Sequence, residues 1–160
     1  MIKKLSLIVV LAMLALTTAF VVAADEKPWL DFTNCDFCKP WMSTGLMNDM
    51  THEMVATKTG VMTVMTCPAK RMDEFKKTSA MMNEIGAKAG KGEPVHMCGS
   101  CEAMGGLLMR GAAMEEVWLK EGMVMLMTSS DPALIADMHK WVKKNNEEYA
   151  KMPAPKADTK

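Results

Sequence analysis

The chain has 160 residues with 19 basic and 19 acidic side chains, so its formal net charge at neutral pH is zero. This balance, without any basic patch, excludes an electrostatic surface for nucleic acid. Methionine is unusually common, with 20 residues, and the chain has five cysteines: Cys35, Cys38, Cys67, Cys98 and Cys101. Because that count is odd, at least one thiol cannot pair within the chain.

The first 24 residues have the pattern of a secretory signal peptide. A positive start at Lys3 and Lys4 precedes an uncharged apolar run from Leu5 to Val22, and Ala23-Ala24 completes the small residues that a signal peptidase requires. Cleavage there predicts an exported protein, periplasmic or extracellular, with no remaining membrane segment. An uncleaved anchor is the alternative, because the apolar run is almost long enough to span a bilayer.

The rest of the chain repeats one pattern at an offset of 62 or 63 positions. Each copy contains a Cys-x-x-Cys motif, a helix-like stretch, a strand of alternating polarity, a turn with glycine and a returning strand. In the first copy these are Cys35–Cys38, Pro40–Met50, Thr51–Thr57 and Val61–Thr66. In the second they are Cys98–Cys101, Glu102–Ala113, Met114–Lys120 and Met123–Thr128.

An amphipathic helix closes each copy. In the first, Pro68 lies near the helix start, and apolar residues recur at helical spacing at Met72, Phe75, Met82 and Ile85. In the second, Ser130 or Asp131 caps the helix and Pro132 takes its first turn. The predicted buried stripe of that helix contains Leu134, Ile135, Met138, Trp141, Val142 and Tyr149.

With a short strand before each motif, each copy has the order β-α-β-β-α, a ferredoxin-like unit that lacks its fourth strand. Alone, such a unit would have a small core and an open sheet edge. We therefore predict an α+β fold with repeats at 25–88 and 89–150, whose first strands pair antiparallel. The result would be one six-stranded antiparallel sheet with helices on one face. Two independent units on a linker are the alternative, and residues 151–160 are predicted to be a disordered tail.

The two Cys-x-x-Cys motifs are the chemically informative feature. A helix N-terminus directs unpaired N–H groups at the sulfurs and favours thiolate, which binds soft metals or exchanges with disulfides. His96 and Met97 precede Cys98, and imidazole, thioether and thiolate together select copper(I), with zinc as a second choice. The predicted metal ligands are Cys35, Cys38, Cys67, Cys98, Cys101, His96 and Met97. Pairing of the first strands would bring Cys67 to Cys98 and Cys101. Most methionines other than Met97 are expected to fill the core.

The order strand, Cys-x-x-Cys, helix and hairpin resembles the heavy-metal-associated domain of copper chaperones and copper-pumping ATPases. That resemblance implies a ferredoxin-like fold and copper(I) held by the cysteine pair. The family has a methionine two residues before the first cysteine, where this chain has Thr33 and His96. A looser similarity is to exported tandem-repeat copper chaperones of the nitrous-oxide reductase system.

The sequence predicts an exported soft-metal-binding protein for metal trafficking or resistance, with a metal ion and another exported metalloprotein as partners, and not an enzyme. Two alternatives stay open. Cys38-Lys39-Pro40-Trp41 is similar to thioredoxin-like motifs and suggests a thiol-disulfide oxidoreductase. Alternatively, the two pairs together hold one structural zinc ion through four cysteines, or form two disulfides, in a structural or interaction module. No motif supports hydrolytic or nucleotide chemistry.

Overall fold

A computed structural model describes residues 27–152, so the predicted signal peptide and residues 153–160 of the predicted tail lie outside it. Its elements are α1 (Lys39–Ser43), β1 (Thr51–Thr57), β2 (Gly60–Thr66), α2 (Met72–Gly90), α3 (Gly99–Met109), β3 (Ala113–Leu119), β4 (Gly122–Thr128) and α4 (Pro132–Tyr149). Short 3-10 turns occur at Leu46–Asn48 and Ala69–Arg71. Within the described range, no helix has the length and apolarity needed to cross a membrane.

The sheet has four strands in the order β1-β2-β4-β3, and every neighbouring pair is antiparallel. Each hairpin supplies one edge strand and one inner strand, and the inner strands pair with each other. Gly60 lies opposite Thr128, and Thr66 lies opposite Gly122. Adding 62 to Gly60 and Thr66 gives Gly122 and Thr128, so the register of the sheet is two-fold symmetric.

The predicted six-stranded sheet of two β-α-β-β-α repeats is wrong: in residues 27–152 neither motif has the predicted short strand directly before it. Before the first motif, the Asp31 carboxylate accepts hydrogen bonds from the backbone N–H groups of Thr33 (2.9 Å) and Asn34 (2.8 Å). Such a local turn competes with strand pairing. Before the second motif, the carbonyl of His96 accepts from the N–H of Asp36 (2.8 Å), so this segment bonds to the first motif instead.

The hairpin strands are confirmed to within one residue, because alternating polarity and the turn glycines define them closely. The first helix is much shorter than the predicted stretch Pro40–Met50. It ends at Ser43, and Gly45 has a φ of 69° in the left-handed region, which breaks the helical path. The third helix begins earlier than predicted, directly after Cys98.

The long helices cross between the halves of the chain. Helix α4 lies over the first hairpin, where His139 Nε2 is 3.0 Å from the carbonyl of Thr57 and Asn146 Nδ2 donates to the carbonyl of Met54 (3.0 Å). Helix α2 packs against the second hairpin, where the rings of Phe75 and Trp118 are 5.4 Å apart. Each half of the chain therefore completes the core of the other half.

Methionine fills much of these two cores, as the sequence predicted. Met54, Met127 and Met138 are buried with α4, and Met72 and Met123 are buried with α2. Methionine suits such positions because its flexible side chain fills irregular space. The opposite sheet face carries exposed apolar residues: Val55, Val117 and Leu119 are 38%, 41% and 45% exposed.

Candidate metal centre

Four cysteines from the two motifs converge on one point. The sulfur atoms of Cys35, Cys38, Cys98 and Cys101 all lie within 4.8 Å of one another. The Cys38 sulfur is 3.9 Å from that of Cys98 and 3.8 Å from that of Cys101. All five cysteines of the chain are free thiols in the structure. The cluster therefore joins two segments that are some 60 residues apart in sequence.

Each motif is shaped by the helix that follows it. Cys38 precedes α1, and its N–H and that of Lys39 both donate to the carbonyl of Cys35 (3.1 and 2.9 Å). Cys98 is the N-cap of α3, and its carbonyl accepts from the N–H of Glu102 (3.0 Å). These tight turns bring both cysteines of each motif to the same side, next to N–H groups at a helix start.

A reciprocal contact holds the two motif loops together. The N–H of Asp36 donates to the carbonyl of His96, and the N–H of His96 donates to Oδ2 of Asp36, both at 2.8 Å. The bond from His96 N–H also holds the pKa of the Asp36 carboxyl below its usual range. One backbone bond and one bond to the Asp36 carboxylate thus hold the two loops side by side independently of the sulfurs.

The second motif is also fixed by the segment just before the first. The N–H groups of Gly99 and Ser100 donate to the carbonyls of Pro28 (3.1 Å) and Trp29 (2.9 Å). The approach is close: a Cβ at Gly99 would lie 3.0 Å from a ring atom of Trp29. Glycine at this place lets the two backbones meet.

The sulfurs differ in exposure and protonation. Cys35 and Cys98 are 0% and 1% exposed, Cys38 is buried, and Cys101 is partly exposed. Hydrogen bonding from Cys101, and then from Cys38, lowers the pKa of Cys35 to about 6. Hydrogen bonding, first from Cys101, lowers the pKa of Cys98 as well.

The pKa values of the other two thiols move the opposite way. Hydrogen bonding within the cluster, first with Cys101 for Cys38 and with Cys35 for Cys101, raises both. Two of the four thiols thus have lowered pKa values and two have raised ones. A cation that binds all four as thiolates would release the remaining protons.

Two of the sulfur separations are those expected around one tetrahedral ion. Zinc–thiolate bonds of about 2.3 Å in a tetrahedron put neighbouring sulfurs about 3.8 Å apart. The measured separations from Cys38 to Cys101 and Cys98 are 3.8 and 3.9 Å. Tetrahedral sets of four sulfurs are typical of zinc or iron–sulfur sites. The residues present therefore fit a mononuclear soft-metal site.

Three other residues were predicted as ligands and do not belong to the group of four cysteines: Cys67, His96 and Met97. Cys67 is buried in the core under α2, where its thiol donates to the Met72 sulfur at 3.4 Å, and burial raises its pKa. The predicted approach of Cys67 to Cys98 and Cys101 required the pairing of first strands, which does not occur. His96 is exposed and Met97 half-buried. Metal roles for His96 and Met97 stay predictions.

An aromatic layer lies beside the cluster. The ring of Tyr149, from the end of α4, is 4.6 Å from the ring of His52 and 6.4 Å from that of Phe32. Burial, together with the charges on the motif cysteines, raises the pKa of Tyr149, so its hydroxyl stays protonated. Burial lowers the pKa of His52 to about 4, so its imidazole is neutral at physiological pH.

Two residues that matter to this site were not predicted, Trp29 and Asn145. Asn145 is only 1% exposed and accepts hydrogen bonds from Trp29 Nε1 (3.0 Å) and Ser100 Oγ (2.7 Å). A signal for Asn145 exists in the sequence: it continues the spacing of Met138, Trp141 and Val142. A polar residue in register with a buried helical stripe indicates a specific internal hydrogen bond. Trp29 offers no comparable signal.

Comparisons with protein-family models, with curated proteins and with solved structures give no significant match to this chain. Function has to be inferred from the cysteine cluster. Its four thiols lie within metal-binding distance and are compatible with metal binding or with another cysteine-based function.

Proposed function

We propose that this chain is an exported protein whose activity is to bind one soft metal ion through Cys35, Cys38, Cys98 and Cys101. The observation that supports this most directly is the convergence of four sulfurs, within 4.8 Å of one another, from motifs far apart in sequence. Two structural disulfides would need no such convergence, because each motif could pair within itself. Bringing four potential thiolates together at largely buried positions is costly unless a cation compensates their charge.

Zinc is the first choice of metal, and copper(I) is the second. The sequence alone favours copper(I) over zinc, because soft ligands surround Cys98. The convergence of four sulfurs changes that order, since copper(I) is satisfied by fewer thiolates. A closed tetrahedron of four protein ligands leaves no position for a substrate, which is typical of structural zinc and unlike catalytic sites. The proposal therefore assigns metal binding and not catalysis.

The ion is proposed to be a resident part of the fold, because Cys35 and Cys98 are almost fully buried. Metal delivery to another exported protein is the second candidate function. One observation favours it: Cys101 is partly exposed, so an incoming thiolate could reach the ion on that side. The speed of metal release separates the two, because a resident ion should leave over hours and a delivered ion within seconds once a competing ligand is present.

The test is metal content and thiol count on the exported product of the full gene, purified without oxygen. We expect one zinc per chain and five titratable thiols after denaturation with a chelator. Replacement by cobalt(II) should give the absorption bands of a tetrahedral thiolate site. Stoichiometric copper(I) would reverse the metal order and keep the four-thiolate site. Two disulfides with one free thiol, and no metal uptake after reduction, would overturn the proposal.

Two serine variants make a matched pair for this test. Cys98→Ser removes one of the four sulfurs and should abolish stoichiometric binding. Cys67→Ser also removes a buried sulfur, but one that lies against Met72, and should bind metal as the unmodified protein does. Equal loss of bound metal in both variants would mean that the metal is not held by the four-cysteine cluster.

A further inference from the structure

A buried hydrogen-bonded network connects helix α4 to the middle of the second motif. Its centre is Oδ1 of Asn145, which accepts from Trp29 Nε1 at 3.0 Å and from Ser100 Oγ at 2.7 Å. Trp141 Nε1 completes the network by donating to the carbonyl of Ser100 at 3.1 Å, with Ser100 Oγ at 3.2 Å. Ser100 lies between Cys98 and Cys101, so the network holds the loop that carries two of the four sulfurs.

The network has a cost that a purely structural core would avoid. Asn145 is 1% exposed, and its Nδ2 has no hydrogen-bond partner within residues 27–152. The orientation of the amide is fixed, because an indole N–H can only donate and so requires the oxygen opposite it. An apolar residue at this place on α4 would continue the stripe of Met138, Trp141 and Val142 without an unsatisfied group. The hydrogen bonds to the motif offset that cost.

We propose that Asn145 is a positioning residue for the metal site: it fixes the Cys98–Cys101 loop in its metal-binding geometry before the ion arrives. This rests on the proposed function, since it assumes that the four cysteines bind metal. The first motif has no equivalent clamp, because Phe37 occupies the place of Ser100 and offers no side-chain hydroxyl. The second motif is thus the half of the site that this network fixes.

In other proteins, replacing a residue that orients a metal ligand weakens metal affinity by about 10- to 100-fold. We expect Asn145→Leu, which keeps the side-chain size and removes the shared acceptor, to weaken zinc binding by about that factor. Zinc should also leave faster in a chelator, and the cobalt(II) bands should shift or broaden as the tetrahedron loses symmetry. Ser100→Ala and Trp29→Phe should show the same changes to a lesser degree.

Leu134→Ala is the matched control, because Leu134 is also 1% exposed on α4 but belongs to the apolar core. It should lower thermal stability and leave the cobalt(II) bands and the zinc release rate unchanged. The effects of Ser100→Ala and Asn145→Leu should be less than additive, since both break the same hydrogen bond. If Asn145→Leu does not fold, the Ser100→Ala and Trp29→Phe variants decide the question by the same measurements.

The outcomes separate this inference from the proposed function. If the unmodified protein binds zinc and all three network variants bind it with unchanged affinity, release rate and cobalt(II) spectrum, Asn145 has no positioning role. If Leu134→Ala changes the site as much as Asn145→Leu does, the effect is general destabilisation and the inference is overturned. If the unmodified protein binds none of zinc, cobalt(II) and copper(I), the proposed function itself fails.

Discussion

The sulfur of Cys38 lies 3.9 Å from the sulfur of Cys98, although 60 residues separate them in the chain. Between them come the whole first hairpin and helix α2. An ion held by both residues would cross-link the two halves of the chain. The inner strands β2 and β4 already join the halves in the sheet. Loss of the ion should therefore weaken the fold without abolishing the sheet.

Metal removal is expected to lower the thermal midpoint while the far-ultraviolet circular dichroism stays close to that of the loaded protein. Ligand that binds only the folded state stabilises it by about 4 kcal/mol when its concentration is 1,000 times the dissociation constant. Calorimetry with and without chelator measures the difference. Cys98→Ser should melt at the same temperature under both conditions, and a chelator effect that persists in this variant would contradict the assignment of the ligands.

Substitution of Cys67 tests a core position. In Cys67→Ser a hydroxyl replaces the thiol that contacts the Met72 sulfur in a buried apolar cluster. We expect a loss of about 1–3 kcal/mol in the free energy of unfolding, from a poorly satisfied polar group. Cys67→Ala should also destabilise, through the cavity that it leaves. Urea unfolding measures both, and either variant losing its bound metal would return Cys67 to the list of ligands.

Two glycines at equivalent places in the sheet should be equally sensitive to substitution by alanine. A Cβ at Gly60 would lie 2.0 Å from the carbonyl oxygen of Met127, and one at Gly122 would lie 2.1 Å from that of Met65. Alanine at either place would push β2 and β4 apart, and we expect a loss well above 1 kcal/mol in unfolding free energy. Gly105→Ala is the control, because space is open there and alanine favours the helix by about 1 kcal/mol. Unequal effects at Gly60 and Gly122 would contradict the two-fold register.

Local signals in the sequence predicted the parts of the fold that local interactions determine. The hairpins follow from alternating polarity and a glycine at each turn. Helix α4 begins as Asp131 and Pro132 indicate, with the Asp131 carboxylate accepting from the N–H of Ala133 at 2.9 Å. The approach of the two motifs was predicted only in the alternative in which both pairs hold one zinc ion, whereas the main prediction brought Cys67 to the second pair.

The sheet was predicted wrongly because strand partners depend on contacts that no local pattern records. The segments before the motifs are short, and each has a nearer partner: the side chain of Asp31 for the first, and the backbone of Asp36 for the second. The position of Cys67 was wrong for the same reason, since it was inferred from the strand pairing. The pairing of β2 with β4 leaves no trace in the sequence beyond the repeat itself.

Acid should destabilise the protein partly through His52. Burial lowers its pKa to about 4 in the folded state from 6.5 when exposed. Between these values the unfolded chain binds more protons than the folded chain, so this contribution to stability is complete above pH 6.5 and is lost as the pH falls toward 4. The slope is at most about 1.4 kcal/mol per pH unit.

Comparison of the unmodified protein with His52→Gln isolates that contribution, because the cysteines are common to both. Urea unfolding at several pH values should show the unmodified protein losing stability faster between pH 6.5 and 4, with parallel curves above pH 6.5. Curves that stay parallel throughout would show that the His52 imidazole titrates normally in the folded protein.

The crossed packing of the helices makes the two halves dependent on each other. Phe75 from the first half is fully buried, and its ring lies 5.4 Å from that of Trp118 in the second. Met138 from the second half is fully buried in a cluster with Met54 and Val61 from the first. Separation of the halves would expose both cores and leave the inner edge of each hairpin unpaired.

We therefore expect residues 27–90 and 91–152, expressed separately, to be unfolded, since one hairpin with two helices is too small to form a stable core. Mixing equal amounts of reduced halves should restore the circular dichroism of the intact chain, and zinc should strengthen their association because each half supplies two of the four cysteines. A mixture in which Cys98 is replaced by serine should lose that zinc effect and still associate through β2 and β4 at higher concentration. Isothermal titration of one half into the other, with and without zinc, measures the affinity between the halves and the contribution of zinc to that affinity. A half that is monomeric and melts cooperatively by itself would show that the crossed helices are not required for folding.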